Sequence, residues 1–147
     1  MYTKQALHEL GIKTTAITDA QKRQLDSQGF FIVENAMSKG DVKTLRDEFE
    51  RIHAAEAEKG GHEVHVEPGA RRISNIFNKT TAFDVCLNLP PVLAAAHYLL
   101  GEIKVHGANV RDPNQGFGHQ ALHVDVPKKF VDDWWVLNAM LMIDDMT

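Results

Sequence analysis

The sequence predicts an α+β fold, with helices from about residue 1 to 100 buttressing one face of a sheet built by the remainder. Three observations carry that expectation. Helical spacing with capping signals recurs up to Gly101. Strand patterns dominate after it. The run from Trp134 to Ile143 is almost continuously apolar, which suits a strand covered on both faces.

The first clear element is a helix near 18–28. Thr18 is a suitable N-cap and Gln21, three residues on, completes a capping box. Gly29 fits the position just past the helix end. Phe30-Phe31-Ile32-Val33 then reads as a short strand, being aromatic and β-branched. A second helix is expected near 39–58. Ser38 and Asp41 form its capping box, and Val42, Leu45, Phe49 and Ile52 recur at helical spacing to give one core-facing stripe. Gly60-Gly61 ends it. Val64 and Val66 alternate with Glu63, His65 and Glu67, as in a half-buried strand, and Pro68-Gly69 marks a turn. Arg71 to Phe77 returns as another strand. The third helix follows Pro90-Pro91, where proline is tolerated in the first turn, and closes at Gly101. Ile103 to Val110 reads as a strand, and Arg111 to Gly118 as a loop.

Composition narrows the class. The chain has 147 residues, 44% of them hydrophobic, enough for a single domain with its own core. A net charge of −4 and the lack of a basic face argue against a nucleic-acid partner. The single Cys86 rules out an internal disulfide and suits a reducing compartment. The N-terminus has no apolar signal region. Trp134 to Ile143 is shorter than the roughly 20 residues that span a bilayer. A cytoplasmic protein without membrane contact is expected. Phosphate-binding glycine loops, nucleophile elbows and Cys-x-x-Cys pairs do not occur, which sets aside kinases, dinucleotide enzymes, serine hydrolases and zinc ribbons.

The segment Leu122-His123-Val124-Asp125 carries the most chemistry. A β-strand has period two, so in an extended chain His123 and Asp125 project from one face, their Cα atoms roughly 6 to 7 Å apart. An imidazole beside a carboxylate supplies two of the three ligands of a non-haem Fe(II) site. On spacing alone, a hydrogen-bonded loop pair is the competing reading. The third ligand of such a site would be a second His, and no His follows Asp125.

Several stretches together resemble the phytanoyl-CoA dioxygenase (PhyH) family. They are the Thr18 to Val33 helix, turn and strand; the Leu99-Leu100-Gly101-Glu102 helix end; Gln120 to Asp125; and Val136 to Thr147. The resemblance implies a double-stranded β-helix (jelly-roll, cupin-like) core with N-terminal helices. It implies an Fe(II)- and 2-oxoglutarate-dependent dioxygenase that hydroxylates a small organic substrate, with His123 and Asp125 as iron ligands. It further implies that residues 1–147 form the N-terminal portion of one such domain, with the jelly-roll beginning near residue 101. The distal His and the Arg that grips 2-oxoglutarate would then lie past Thr147, and little turnover is expected of these residues alone.

Other residues are candidates for cosubstrate contact. Asn109 and Arg111 lie two apart and share a strand face, which either looks into the barrel or is ordinary strand-end polarity. Asn138 interrupts an apolar strand; a buried amide needs partners, either near the 2-oxoglutarate pocket or as a structural hydrogen bond. Arg71, Arg72 and Asn75 approach from the early sheet or sit solvated. His119 reads as a loop residue or as one that supports the site from behind, and His62, Glu63, His65 and Glu67, though metal-like in composition, as a solvated face. The alternative to an enzyme is a non-catalytic interaction module that forms a homodimer through an exposed sheet edge.

Overall fold

The computed structural model describes residues 2–63, 66–126 and 134–144. Among these it contains helices α1 (Tyr2–Glu9), α2 (Asp19–Gln28) and α3 (Lys39–Glu56), strand β1 (Ala70–Ile73), helix α4 (Pro90–Leu100) and strand β2 (Val110–Pro113). The fold class is therefore α+β, as the sequence predicts. The chain divides into two compact units of interleaved segments. One comprises Met1–Met37, Cys86–Lys104 and Val124–Met142; the other comprises Ser38–Val85, Val105–His123 and Ile143–Thr147.

The first unit is helical. Its α2 begins at the capping box read from the sequence: the Gln21 amide donates to Thr18 Oγ1 (3.2 Å) and the Thr18 amide to Gln21 Oε1 (2.8 Å). It ends at Gly29, whose φ of +82° is the left-handed conformation that glycine adopts without steric cost. Ile17, Leu25, Ala94 and Ala95 form the core, and Phe31, Leu99 and Leu137 pack against it. The three consecutive buried alanines of α4, Ala94 to Ala96, leave room for the larger side chains opposite them.

Helix α1 was not legible as an element, because its cap is remote in sequence. Thr3 donates to the Glu102 carboxylate from both its amide (3.0 Å) and its hydroxyl (2.8 Å), and the Ile103 amide donates back to Thr3 Oγ1 (3.0 Å). Glu102 thus places a negative charge at the α1 N-terminus, where the helix dipole favours it and α1 has no acidic residue of its own. The Thr3 amide and then its hydroxyl hold the Glu102 carboxyl below the usual range. A carboxyl depressed in the folded state stabilises fully above its unfolded pKa, about 4.3, and that contribution disappears as pH falls through the lower folded value. Acid titration followed by α1 amide chemical shifts is expected to show α1 loosening below about pH 4.3. In Glu102→Gln that transition should be absent. Identical titrations in the two proteins would refute the assignment.

The second unit packs α3 on a two-stranded antiparallel sheet. The Ser38 and Asp41 capping box forms (Asp41 amide to Ser38 Oγ, 3.1 Å), and Leu45, Phe49 and Ile52 are the buried face of α3. Strands β1 and β2 pair in the register Ala70↔Pro113, Arg71↔Asp112, Arg72↔Arg111 and Ile73↔Val110. Ile73 and Ile76 are completely buried, and β1, which ends at Ile73, packs against α3. Asn75, at φ +52°, turns the chain between them so that the Ile76 amide reaches the Ala108 carbonyl at 3.1 Å.

The sheet among the described residues is two-stranded. Three expectations need correction. Phe30–Val33 is no strand: Phe31 and Val33 are half-buried and Phe30 and Ile32 exposed, but no ladder partner lies alongside among the described residues. Of Ile103 to Val110 only the last residue enters β2, which continues into the expected loop as far as Pro113. Trp134 to Ile143 is not a strand covered on both faces, since Met140 is 80% exposed and both tryptophans 49%. An apolar run states a demand for burial; it does not supply the neighbouring strand or the layer that meets it. The strand expected over 62–67 falls partly outside the described residues at Val64 and His65. Among the described residues no single helix is long and apolar enough to cross a membrane.

Candidate functional site

The sequence-predicted site residues divide between the two units. In the second unit, Asn109 lies just before β2 and Arg111 within it. Asn109 Oδ1 accepts the Asn75 amide at 3.3 Å, so it steadies the turn between Ile73 and Ile76. Arg111 makes a two-pronged contact with Glu67: Nε to Oε2 at 2.7 Å and Nη2 to Oε1 at 2.5 Å. It also donates to the Gly118 carbonyl. The register sets Arg72 directly opposite Arg111, an arrangement that like charges disfavour. Glu67 resolves it: its side chain is only 9% exposed, and Arg72 Nη1 approaches Oε2 at 3.5 Å. Glu67 is the first cause of the upward displacement of the Arg111 pKa.

This cluster shapes the approach to His123. Gly118 lies at φ +70° with Pro113 and the Arg111 guanidinium so close that an added Cβ would stand 2.7 and 2.9 Å from them. Arg111 thereby folds the loop back at Gly118, and Gln120 Nε2 donates to Glu67 Oε1 at 3.3 Å. Residues 118–120 are pinned just before the His-x-Asp segment. His123 itself is exposed, with Nδ1 2.8 Å from the Ala121 carbonyl oxygen. A carbonyl only accepts, so Nδ1 bears the proton of the neutral ring and the lone pair resides on Nε2. A backbone carbonyl on one ring nitrogen is the usual means of orienting a metal-binding imidazole through the other.

In the first unit, Asp125 sits at a bend and accepts a hydrogen bond from Asn138 Nδ2. The structure brings these two predicted site residues together. Leu137 packs on the core formed by Ile17, Leu25, Ala94 and Ala95, which anchors the segment that presents Asn138.

The remaining candidates have structural partners. Arg71 grips Glu50 (2.8 and 2.9 Å) and Asp112, with its guanidinium carbon 5.0 Å from the centre of the Phe49 ring. Glu63 pairs with Lys79 at 2.5 Å, and Lys79 with Glu56 at 2.6 Å, beside an open depression of about 600 Å³. His119 is exposed; His65 lies outside the described residues. Among the described residues no three His, Cys, Asp or Glu side chains converge as a metal-binding group.

Sequence reading missed the part played by Glu67. Its place in an alternating polar pattern suggested a solvated face, and only the strand register reveals two arginines that require it. Asn138 was flagged by its apolar surroundings, but its partner was not visible.

The model of the phytanoyl-CoA dioxygenase (PhyH) family matches residues 25–147, which include both halves of the His-x-Asp pair and Asn138. The chain belongs to the phytanoyl-CoA dioxygenase family. No curated protein and no solved structure matches it. Membership brings dioxygenase chemistry at the level of the family, whose members depend on Fe(II) and 2-oxoglutarate.

Proposed function

We propose that this phytanoyl-CoA dioxygenase family chain carries two iron ligands, His123 and Asp125, of an Fe(II)- and 2-oxoglutarate-dependent oxygenase that hydroxylates a small organic substrate. The observation that supports it most is the state of His123. Its Nδ1 is engaged by the Ala121 carbonyl, so the neutral ring offers Nε2 as the donor nitrogen, two residues from a carboxylate. The donor set fits: an imidazole nitrogen and a carboxylate oxygen are donors that non-haem Fe(II) takes. When bound, Fe(II) with 2-oxoglutarate supplies the oxidising power, and the protein's part is to hold and orient.

The chain's own residues would then act as follows. His123 donates Nε2 and Asp125 a carboxylate oxygen. Asn109 and Arg111 lie on the face proposed to meet the cosubstrate, and Arg111 is the cation with bidentate geometry for a carboxylate. Arg111 now makes that contact with Glu67, so binding 2-oxoglutarate there exchanges one carboxylate for another. The fold proposed around the site is the jelly-roll, cupin-like core of the family, in a cytoplasmic protein.

Titration calorimetry with 2-oxoglutarate tests this, carried out with and without Mn(II), a redox-silent stand-in for Fe(II). Binding that appears or tightens only with the metal is expected. Binding indifferent to metal, or none under either condition, would overturn the reading.

A further inference from the structure

We propose that Asn138 is a positioning residue for Asp125, acting on the metal through that carboxylate and not by touching the cosubstrate. The inference rests on the metal reading above. Asn138 Nδ2 donates to Asp125 Oδ2 across 13 positions of sequence. A carboxylate on a short side chain rotates about its last bond; a hydrogen bond to one oxygen selects the rotamer and commits the other oxygen's direction. Ligand carboxylates held in this way bind metal more tightly than free ones, because less motion is lost on binding.

The residue type is informative. A Lys or Arg at position 138 would orient Asp125 too, but its positive charge would compete with a divalent cation for the same carboxylate. An amide supplies the donor without adding a positive charge of its own. Its place in the chain is informative as well. Asn138 is exposed, and is flanked by Leu137, which packs on the core of Ile17, Leu25, Ala94 and Ala95. The apolar neighbour is therefore the anchor and the amide is what it holds out, which accounts for one polar residue within the run from Trp134 to Ile143. An exposed amide gains little for stability from one hydrogen bond, so a purely structural purpose leaves this placement unexplained.

The test is Mn(II) binding to the full chain, followed by the electron paramagnetic resonance signal of the free ion, in the wild type, His123→Ala, Asn138→Leu and Asn138→Gln. Leucine keeps the volume and removes the donor; glutamine keeps the amide. Thermal melting of each variant separates folding from binding. The expected result is a loss of affinity of about tenfold or more in Asn138→Leu, with melting unchanged and affinity largely restored in Asn138→Gln. If Asn138→Leu binds Mn(II) like the wild type while His123→Ala does not, the positioning role is overturned and the metal reading stands. If the wild type shows no saturable binding that His123→Ala removes, the metal reading fails and this proposal with it. If affinity falls only in proportion to melting temperature, Asn138 is a structural residue and the proposal is wrong.

Discussion

His123→Ala is expected to lower Fe(II) affinity by at least about a hundredfold, since even the partners that merely orient a ligand typically contribute 10–100-fold. The substitution removes the donor nitrogen itself. His123 is exposed, and its hydrogen bond to Ala121 is local, so folding should be nearly untouched. Surface substitutions of this kind stay within about 0.5 kcal/mol of wild-type stability. His119→Ala is the matched control. It removes an exposed imidazole four positions earlier on the same pinned segment, and should bind iron as the wild type does. Anaerobic Fe(II) titration of the three proteins checks the expectation. Equal affinity in all of them would mean that the His-x-Asp pair is a hydrogen-bonded loop feature.

Leu45→Ala should destabilise the second unit by about 2–5 kcal/mol. Leu45 is completely buried on the face of α3 that also buries Phe49 and Ile52. Alanine is the better helix former, so the loss reports packing and not helix propensity. The magnitude matters because whole domains are stable by only about 5–15 kcal/mol. Urea unfolding monitored by circular dichroism measures it. Amide exchange should accelerate in α3 and β1, the elements packed together there, while α2 keeps its protection. A change below about 0.5 kcal/mol would show that the stripe does not form this core.

The fold was legible wherever its cause is local. Thr18 with Gln21 and Ser38 with Asp41 act over three residues, so sequence alone located both helix starts. The Leu45, Phe49, Ile52 stripe follows from helix geometry in the same way. What depends on remote partners was not legible. Helix α1 begins where Glu102 caps it, 99 residues from Thr3. The sheet needs β1 to find β2, and Arg111 needs Glu67, 44 residues away. Apolar runs at Phe30–Val33 and Trp134–Ile143 advertise burial without naming a partner, and both were read as strands.

The candidate site divides along the same line. His123 and Asp125 stand out because period-two spacing is itself the signal. Asn138 stands out as one amide in an apolar run, yet its partner Asp125 lies 13 positions away, a pairing that no local pattern encodes. Asn109 falls just before β2 and Arg111 within it, and the partners they hold, Asn75 and Glu67, lie on either side of the facing strand β1.

Anomalous scattering at the iron edge, from crystals grown anaerobically with Fe(II), tests the central claim most directly. The account predicts a peak within bonding distance of His123 Nε2 and an Asp125 oxygen. A peak at another cluster, such as Glu56 and Glu63, or no peak at the His-x-Asp pair in iron-saturated crystals, would contradict it.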